Sequence, residues 1–250
     1  MKPAERYPAV LLLVFGGICA ALAIAPFYRQ DWLLENVFIF VAIPLLVATS
    51  RSLRFSNRAY TCMFVFFVLH AIGAHYTYSE VPWREWLHLQ DAGTGPGSAS
   101  RNNYDRFVHF SYGLLMFPAV WELFATRASP QRLWRYVMPV SFLMAHSVIY
   151  ELIEWSAAEM FGGDLGVAYL GTQGDEWDAQ KDMGLATAGI LVGLLLTLAF
   201  SSSSGSPPAP AAVVPSDHDR PRDHRGPACS RPPASGLLPT LRCVAHVAIG

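Results

Sequence analysis

Apolar residues in this chain come in long runs separated by short polar stretches, and the runs are too long for strands. A helix that crosses a bilayer needs about 20 mostly apolar residues. Six segments fit: roughly Tyr7 to Ala25, stopping at Pro26; Trp32 to Thr49, with Pro44 inside; Ala59 to Tyr78; Tyr104 to Ala125, with Pro118; Leu133 to Met160, with Pro139; and Asp175 to Phe200. Lys2 and Arg6 precede the first run, as in a signal peptide, but no small-x-small site follows it ahead of a soluble domain, so it reads as a span. Between the third and fourth runs lies the polar stretch Ser79 to Asn103, with Trp83, Trp86 and the Gly/Ser-rich run Gly93 to Ser100. Tryptophans beside a helix end suit the membrane interface, so a short helix lying on the bilayer is expected there.

The pattern therefore predicts an all-α fold, a polytopic membrane helical bundle of about six transmembrane helices over residues 1–200. After Phe200 the composition changes to Ser, Pro, Ala and Arg without periodicity. Such a stretch lacks the apolar residues for a core, so 201–250 is expected to be a disordered tail. No internal repeat is evident, unlike the inverted repeats of many transporters.

Composition agrees. The apolar share is 52% and the charged share 15%, against about 25% charged in a typical soluble domain. Net charge is −1 and the basic residues are scattered, which argues against a nucleic-acid partner and leaves membrane lipid as the expected one. None of the four cysteines forms a Cys-x-x-Cys pair, so no disulfide framework or cysteine zinc site is read; Cys19 and Cys62 fit as small buried hydrophobes. Basic residues set orientation. Lys2 and Arg6, then Arg51, Arg54 and Arg58, then Arg127, Arg132 and Arg135 fall on one side, while the other side mixes Arg29, Arg84 and Arg101 with Asp31, Glu80, Glu85, Asp91 and Asp164. Both termini are accordingly expected in the cytoplasm.

That topology brings the unusual polar residues to one side. Asp105 and His109 are four apart on the fourth span and share a face, which Tyr112 continues. Glu151 and Glu154 share a face near the outer end of the fifth. Asp175, Asp178 and Asp182 follow an i, i+3, i+7 stripe on the sixth, with Asp182 roughly 10 Å deeper than Asp175. His75 ends the third. A charge at mid-helix costs on the order of 3 kcal/mol in a bilayer, so residues of this kind point to a functional site unless they pair. His with carboxylates can hold a divalent metal, zinc or an oxygen-preferring ion. The candidate ligands are His75, His109, Asp178 and Asp182. A metal-activated water could attack an ester or phosphoester. Without metal, Asp105, His109, Glu151, Glu154, Asp178 and Asp182 could work as general acids and bases. Arg106, Lys181, Tyr112 and Gln173 are the candidates for holding a substrate, the two cations by gripping an anionic group.

Each residue also has a structural reading. Asp105 and Asp175 suit the positive ends of helices. Glu151 and Glu154 could pair with Arg106 and Lys181, and His70, His75, His109 and His146 could be structural. Trp155 and Trp177 suit the interface, and Gly171 and Gly174 suit the turn into the sixth span.

Four phrases carry a resemblance: Gly73-Ala74-His75-Tyr76-Thr77-Tyr78-Ser79-Glu80-Val81-Pro82; Asn103-Tyr104-Asp105-Arg106-Phe107-Val108-His109-Phe110; Tyr150-Glu151-Leu152-Ile153-Glu154-Trp155; and the long run Tyr169 to Met183 containing Gly171-Thr172-Gln173-Gly174-Asp175-Glu176-Trp177-Asp178. Over roughly residues 30 to 200 the chain resembles the YjdF family of bacterial inner-membrane proteins. The resemblance implies the membrane location and the helix count, and brings no activity with it. A fainter similarity, through Asp105, His109, Phe110, Tyr112, Glu151, Asp178 and Asp182, is to VanZ-like proteins of the cell envelope. Glu154 and the Gly-Thr-Gln-Gly-Asp phrase depart from that pattern. Three functions fit: a metal-assisted hydrolase or transferase on an envelope lipid or related substrate, a proton- or cation-coupled permease or channel, and a non-catalytic scaffold. The shortage of polar residues in the cytoplasmic half counts against a through-path.

Overall fold

The computed structural model describes residues 3–88, 101–163, 166 and 170–203. Seven helices form among them: α1 (Pro3–Leu22), α2 (Arg29–Thr49), α3 (Asn57–His75), α4 (Trp83–Trp86), α5 (Tyr104–Arg127), α6 (Trp134–Phe161) and α7 (Asp178–Ser203). All except α4 are long and apolar enough to cross a membrane, by length and composition. The expected tail beyond Ser203 and the Gly/Ser-rich run within 89–100 lie outside the described residues.

Local chemistry sets the helix ends. The Ser56 hydroxyl caps α3 by accepting the Ala59 N–H at 3.2 Å. The same helix stops at His75, short of the expected Tyr78, because Thr77 and Tyr78 adopt φ of 51° and 54° and reverse the chain. Gly162, at φ 60°, ends α6. The expected surface helix is a single turn, α4, whose Trp83 ring stacks 6.0 Å from Phe107. The start of α7 requires a correction: Asp175 precedes the helix, in a turn where its side chain accepts the Trp177 N–H at 3.1 Å. The acidic stripe thus begins at Asp178 and continues to Asp182.

The bundle is organised around α3 and α5, which pack on each other. α1 and α2 lie on α3, and α6 and α7 lie on α5. The α5–α7 contact is the tightest because glycines face each other. A Cβ on Gly113 would run into the carbonyl oxygen of Ala186, and one on Gly189 would run into that of Phe110 and come within 2.9 Å of the Leu114 nitrogen. Small residues that let backbones approach supply the dispersion contacts that hold helices together where lipid removes the hydrophobic incentive. Around this contact Phe117, Leu143, Ala186 and Ile190 are buried to 1% exposure or less.

Helix ends gather in two sets. At one end His75 Nδ1 meets the Leu22 carbonyl at 2.7 Å, and Phe27 N–H donates to the His75 carbonyl. The start of α5 and the approach to α7 join them there through Arg101 and Thr172. At the opposite end Arg54 pairs with Glu5 at 2.8 Å, and the Ser56 N–H donates to Glu122 at 2.7 Å. Arg58 lies 5.0 Å over the Phe200 ring, so the start of α1 and the end of α7 share that end.

Gly189→Ala is expected to cost about 1–3 kcal/mol through overpacking. Gly184→Ala, where nothing lies within 4 Å of the added methyl group, is expected to be neutral or slightly stabilising. Thermal unfolding of the two variants in detergent checks this.

Candidate functional site

The centre begins with one turn of α5. Asp105 and His109, at i and i+4, bring Asp105 Oδ1 to 3.5 Å from His109 Nε2. The same nitrogen lies 3.6 Å from Glu151 Oε1 of α6. Asp182 reaches in from α7. Ligand atoms of Asp105, His109 and Asp182 all lie within 4.8 Å of one another, close enough to share a metal ion. Asp182 is 2% exposed and Glu151 9%, and one oxygen of each, Asp182 Oδ1 and Glu151 Oε1, is buried without a hydrogen-bond partner. Among the described residues, His109 is the imidazole that faces all three carboxylates.

A charged rim closes this group from above. Arg101 donates to Asp178 and to the Thr172 carbonyl, and Arg106 donates to Asp175. Lys181 grips both Asp175 oxygens, at 2.8 and 2.6 Å. Asp178, 5% exposed, is thus spent on arginines. The Lys181 ammonium beside Asp175, helped by Arg106, holds its carboxyl down to about 2. Gln173 is also tied, exchanging hydrogen bonds with the Asn102 backbone at 2.9 and 3.0 Å. It clasps the loop before α5 to the loop before α7.

Sequence reasoning missed two acidic residues. Asp31 and Glu35 are one turn apart on α2 and are only 1% and 3% exposed. Asp31 had been counted as loop charge, but it lies inside the helix and turns inward, with both oxygens buried and unpartnered. Glu35 Oε2 accepts the Tyr150 hydroxyl at 2.8 Å. Glu35 is within electrostatic reach of Asp31, Asp105 and His109. The i, i+4 spacing of two acids inside an apolar run was the signal that could have revealed them.

The remaining candidates are placed differently. His75 bonds the Leu22 carbonyl and packs on Tyr76 at 4.5 Å, so it joins α3 to α1 and does not enter the ligand group. His70 is structural: its Nε2 lies 3.1 Å from the Glu35 carbonyl and its Nδ1 accepts from Tyr78. Tyr112 points its hydroxyl at the Leu143 carbonyl, at 3.4 Å, and stacks on His146 at 5.4 Å. It lines a cavity of about 40 Å³ shared with His70, His109, His146 and Tyr150, room for about three waters. His146 Nδ1 and the Ser147 hydroxyl, also in its lining, are buried without partners.

Inside the rim, Asp105, Glu151 and Asp182 thus gather around the His109 imidazole, with Glu35 within electrostatic reach of it and Asp31 and Glu154 adjoining Glu35. An arrangement of this kind can bind a cation, share protons between carboxyls, or do both.

Six spanning helices with a polar centre confined to one end define a multi-pass integral membrane protein. The model of the family described as "Predicted membrane protein (DUF2238)" matches residues 7–203. The chain is 34% identical over 200 residues to the inner membrane protein YjdF of Escherichia coli (strain K12), a match covering 76% of this chain and 85% of that protein. The chain therefore belongs to the YjdF family, as an inner-membrane protein with several spans. No solved structure matches it.

Because the Asp175 carboxyl is held below its ordinary value of 3.8, the stability it contributes is whole above that value. It is lost as pH falls through about 2. Asp175→Asn is thus expected to lower the unfolding temperature at neutral pH, and the difference from wild type is expected to vanish in strong acid. Parallel melts across pH check the sign.

Proposed function

We propose that this end of the bundle is a metal-dependent active centre. It would serve a hydrolase or transferase acting on an envelope lipid or a related substrate that reaches it from the membrane surface. The observation that carries the reading is the convergence of Asp105, His109 and Asp182 within 4.8 Å, beside buried carboxylate oxygens that have no partner. Buried charge costs several kcal/mol per ion unless it is compensated, and a divalent ion is the most compact compensation for this donor set. One imidazole with two carboxylates suits zinc, and the surrounding oxygens also suit manganese or magnesium.

Each residue then has a role. Asp105, His109 and Asp182 hold the ion. Glu151, beside His109, moves a proton as general base and acid. Arg106 and Lys181 exchange Asp175 for an anionic group of the substrate. A divalent ion held by these residues would supply Lewis acidity, polarising a carbonyl or phosphoryl oxygen and lowering the pKa of a water.

A through-path for ions is the competing reading, and the small cavity beside His109 favours it. The packing below opposes it. Phe117, Ile190 and Leu143 each lie eight residues from a site residue (His109, Asp182 and Glu151), about 12 Å deeper along their helices. All three are buried at 1% exposure or less. Their side chains form an apolar layer beneath the cavity.

The orientation is also part of the proposal. Arg51, Arg54, Arg58, Arg127, Arg132 and Arg135 cluster at the end opposite the carboxylates, which by the positive-inside rule is the cytoplasmic end. Both termini are then cytoplasmic and the acidic centre faces outward.

Elemental analysis of the purified chain is expected to find about one divalent ion per chain. Asp182→Asn and His109→Ala are each expected to weaken retention at least tenfold, comparable with the loss of a supporting residue in known metal sites. Wild-type protein without stoichiometric metal would refute the reading. pH-driven flux in liposomes that is abolished in Glu151→Gln would favour the permease instead. Reporter fusions at both termini are expected to signal from the cytoplasm; an external signal from either reverses the orientation.

A further inference from the structure

A second site lies at the basic end, independent of the acidic centre. α1 and α2 both pack on α3, and between them they leave a cleft of about 630 Å³. That falls within the range of roughly 300–1,000 Å³ usual for ligand pockets. Its walls are apolar, including Phe15, Ile43, Leu46, Met63, Phe64 and Phe67. Its mouth carries Arg51, Arg54 and Asn57.

The mouth is electropositive for two reasons. Arg54 is held at 2.8 Å by Glu5, but Arg51 is exposed and has no ion pair or hydrogen bond among the described residues. Glu122, the other acid nearby, lies at the start of α3, where it accepts from Ser56, and Arg127, held at 2.6 Å on the Ser52 carbonyl, balances its charge. A long apolar cleft alone would accept any acyl chain. A cleft with a free guanidinium at its mouth asks for an acyl chain joined to an anion.

We propose that this cleft binds one anionic phospholipid. An acyl chain lies between α1 and α2, and the phosphate sits at Arg51. The setting supplies such a molecule at the right depth, because the cleft lies between bilayer-crossing helices whose outer faces, with Val10, Leu13, Val37, Val41 and Leu45, are exposed.

The test uses the full-length chain, stripped of lipid in detergent and offered equimolar phosphatidylglycerol and phosphatidylcholine, with native mass spectrometry as the readout. Wild type is expected to retain one phosphatidylglycerol in preference to phosphatidylcholine. Arg51→Ala should cut that preference about fivefold, the effect of one basic group at an anionic membrane surface, and Arg51→Lys should restore it. Ala9→Phe, which fills the cleft, should remove both lipids. Equal retention of the two lipids by wild type, or unchanged preference in Arg51→Ala, overturns the proposal. If Ala9→Phe does not fold, the Arg51 pair decides alone.

Discussion

The structure turns on an imbalance of charge. One end of a membrane-spanning bundle gathers six carboxylates, four of them buried and Asp105 and Glu154 half-buried, and the imidazole of His109 is the cationic partner that the ion pairs offer inside the rim. Burial shields most of them from bulk water, and a carboxylate removed from water without a partner is costly enough to oppose folding. The rim arginines and Lys181 do not correct the deficit, since they are engaged by Asp175 and Asp178. Bound cation or shared protons must make up the difference. Either answer makes the centre chemically responsive, whereas the apolar layer beneath it is inert.

The architecture that holds this centre is economical. α5 supplies Asp105 and His109, and the glycine contact with α7 sets how closely Asp182 approaches them. α6 adds Glu151, Glu154 and Tyr150, and the Tyr150 hydroxyl reaches across to Glu35 of α2. That bond, with the Phe38–His146 ring contact at 5.6 Å, ties the peripheral α2 to α6. Below the centre, Phe117, Leu143 and Ile190 seal the bundle. The two ends therefore face different tasks: one concentrates negative charge inside the protein, and the other spreads arginines around an apolar cleft.

Much of this was legible in the chain. Apolar run length gave six spans to within a few residues, because the bilayer imposes a length that sequence cannot hide. The helical periodicity of Asp105 with His109, and of Asp178 with Asp182, placed each pair on one face. What periodicity could not give was the partner of each charge. Asp178 reads like Asp182 in sequence, yet the first faces two arginines and the second faces His109. His75 reads like a ligand, yet its neighbour is a backbone carbonyl 53 positions away. Asp31 and Glu35 were hidden for another reason: they stand at the start of a run, where charge ordinarily meets water, and only the packing of α2 against α3 and α6 turns them inward. Asp175 was assigned to a helix that begins three residues later, because a carboxylate that stabilises the turn ahead of a helix looks the same as one in its first turn.

The most direct measurement is an anomalous-scattering map from crystals grown with manganese. The account predicts a single strong peak within about 2.0–2.6 Å of the carboxylates of Asp105 and Asp182 and the ring of His109. A map without that peak, with the three side chains still converged and joined to one another by short hydrogen bonds, would mean that the carboxyls share protons and that no metal centre exists.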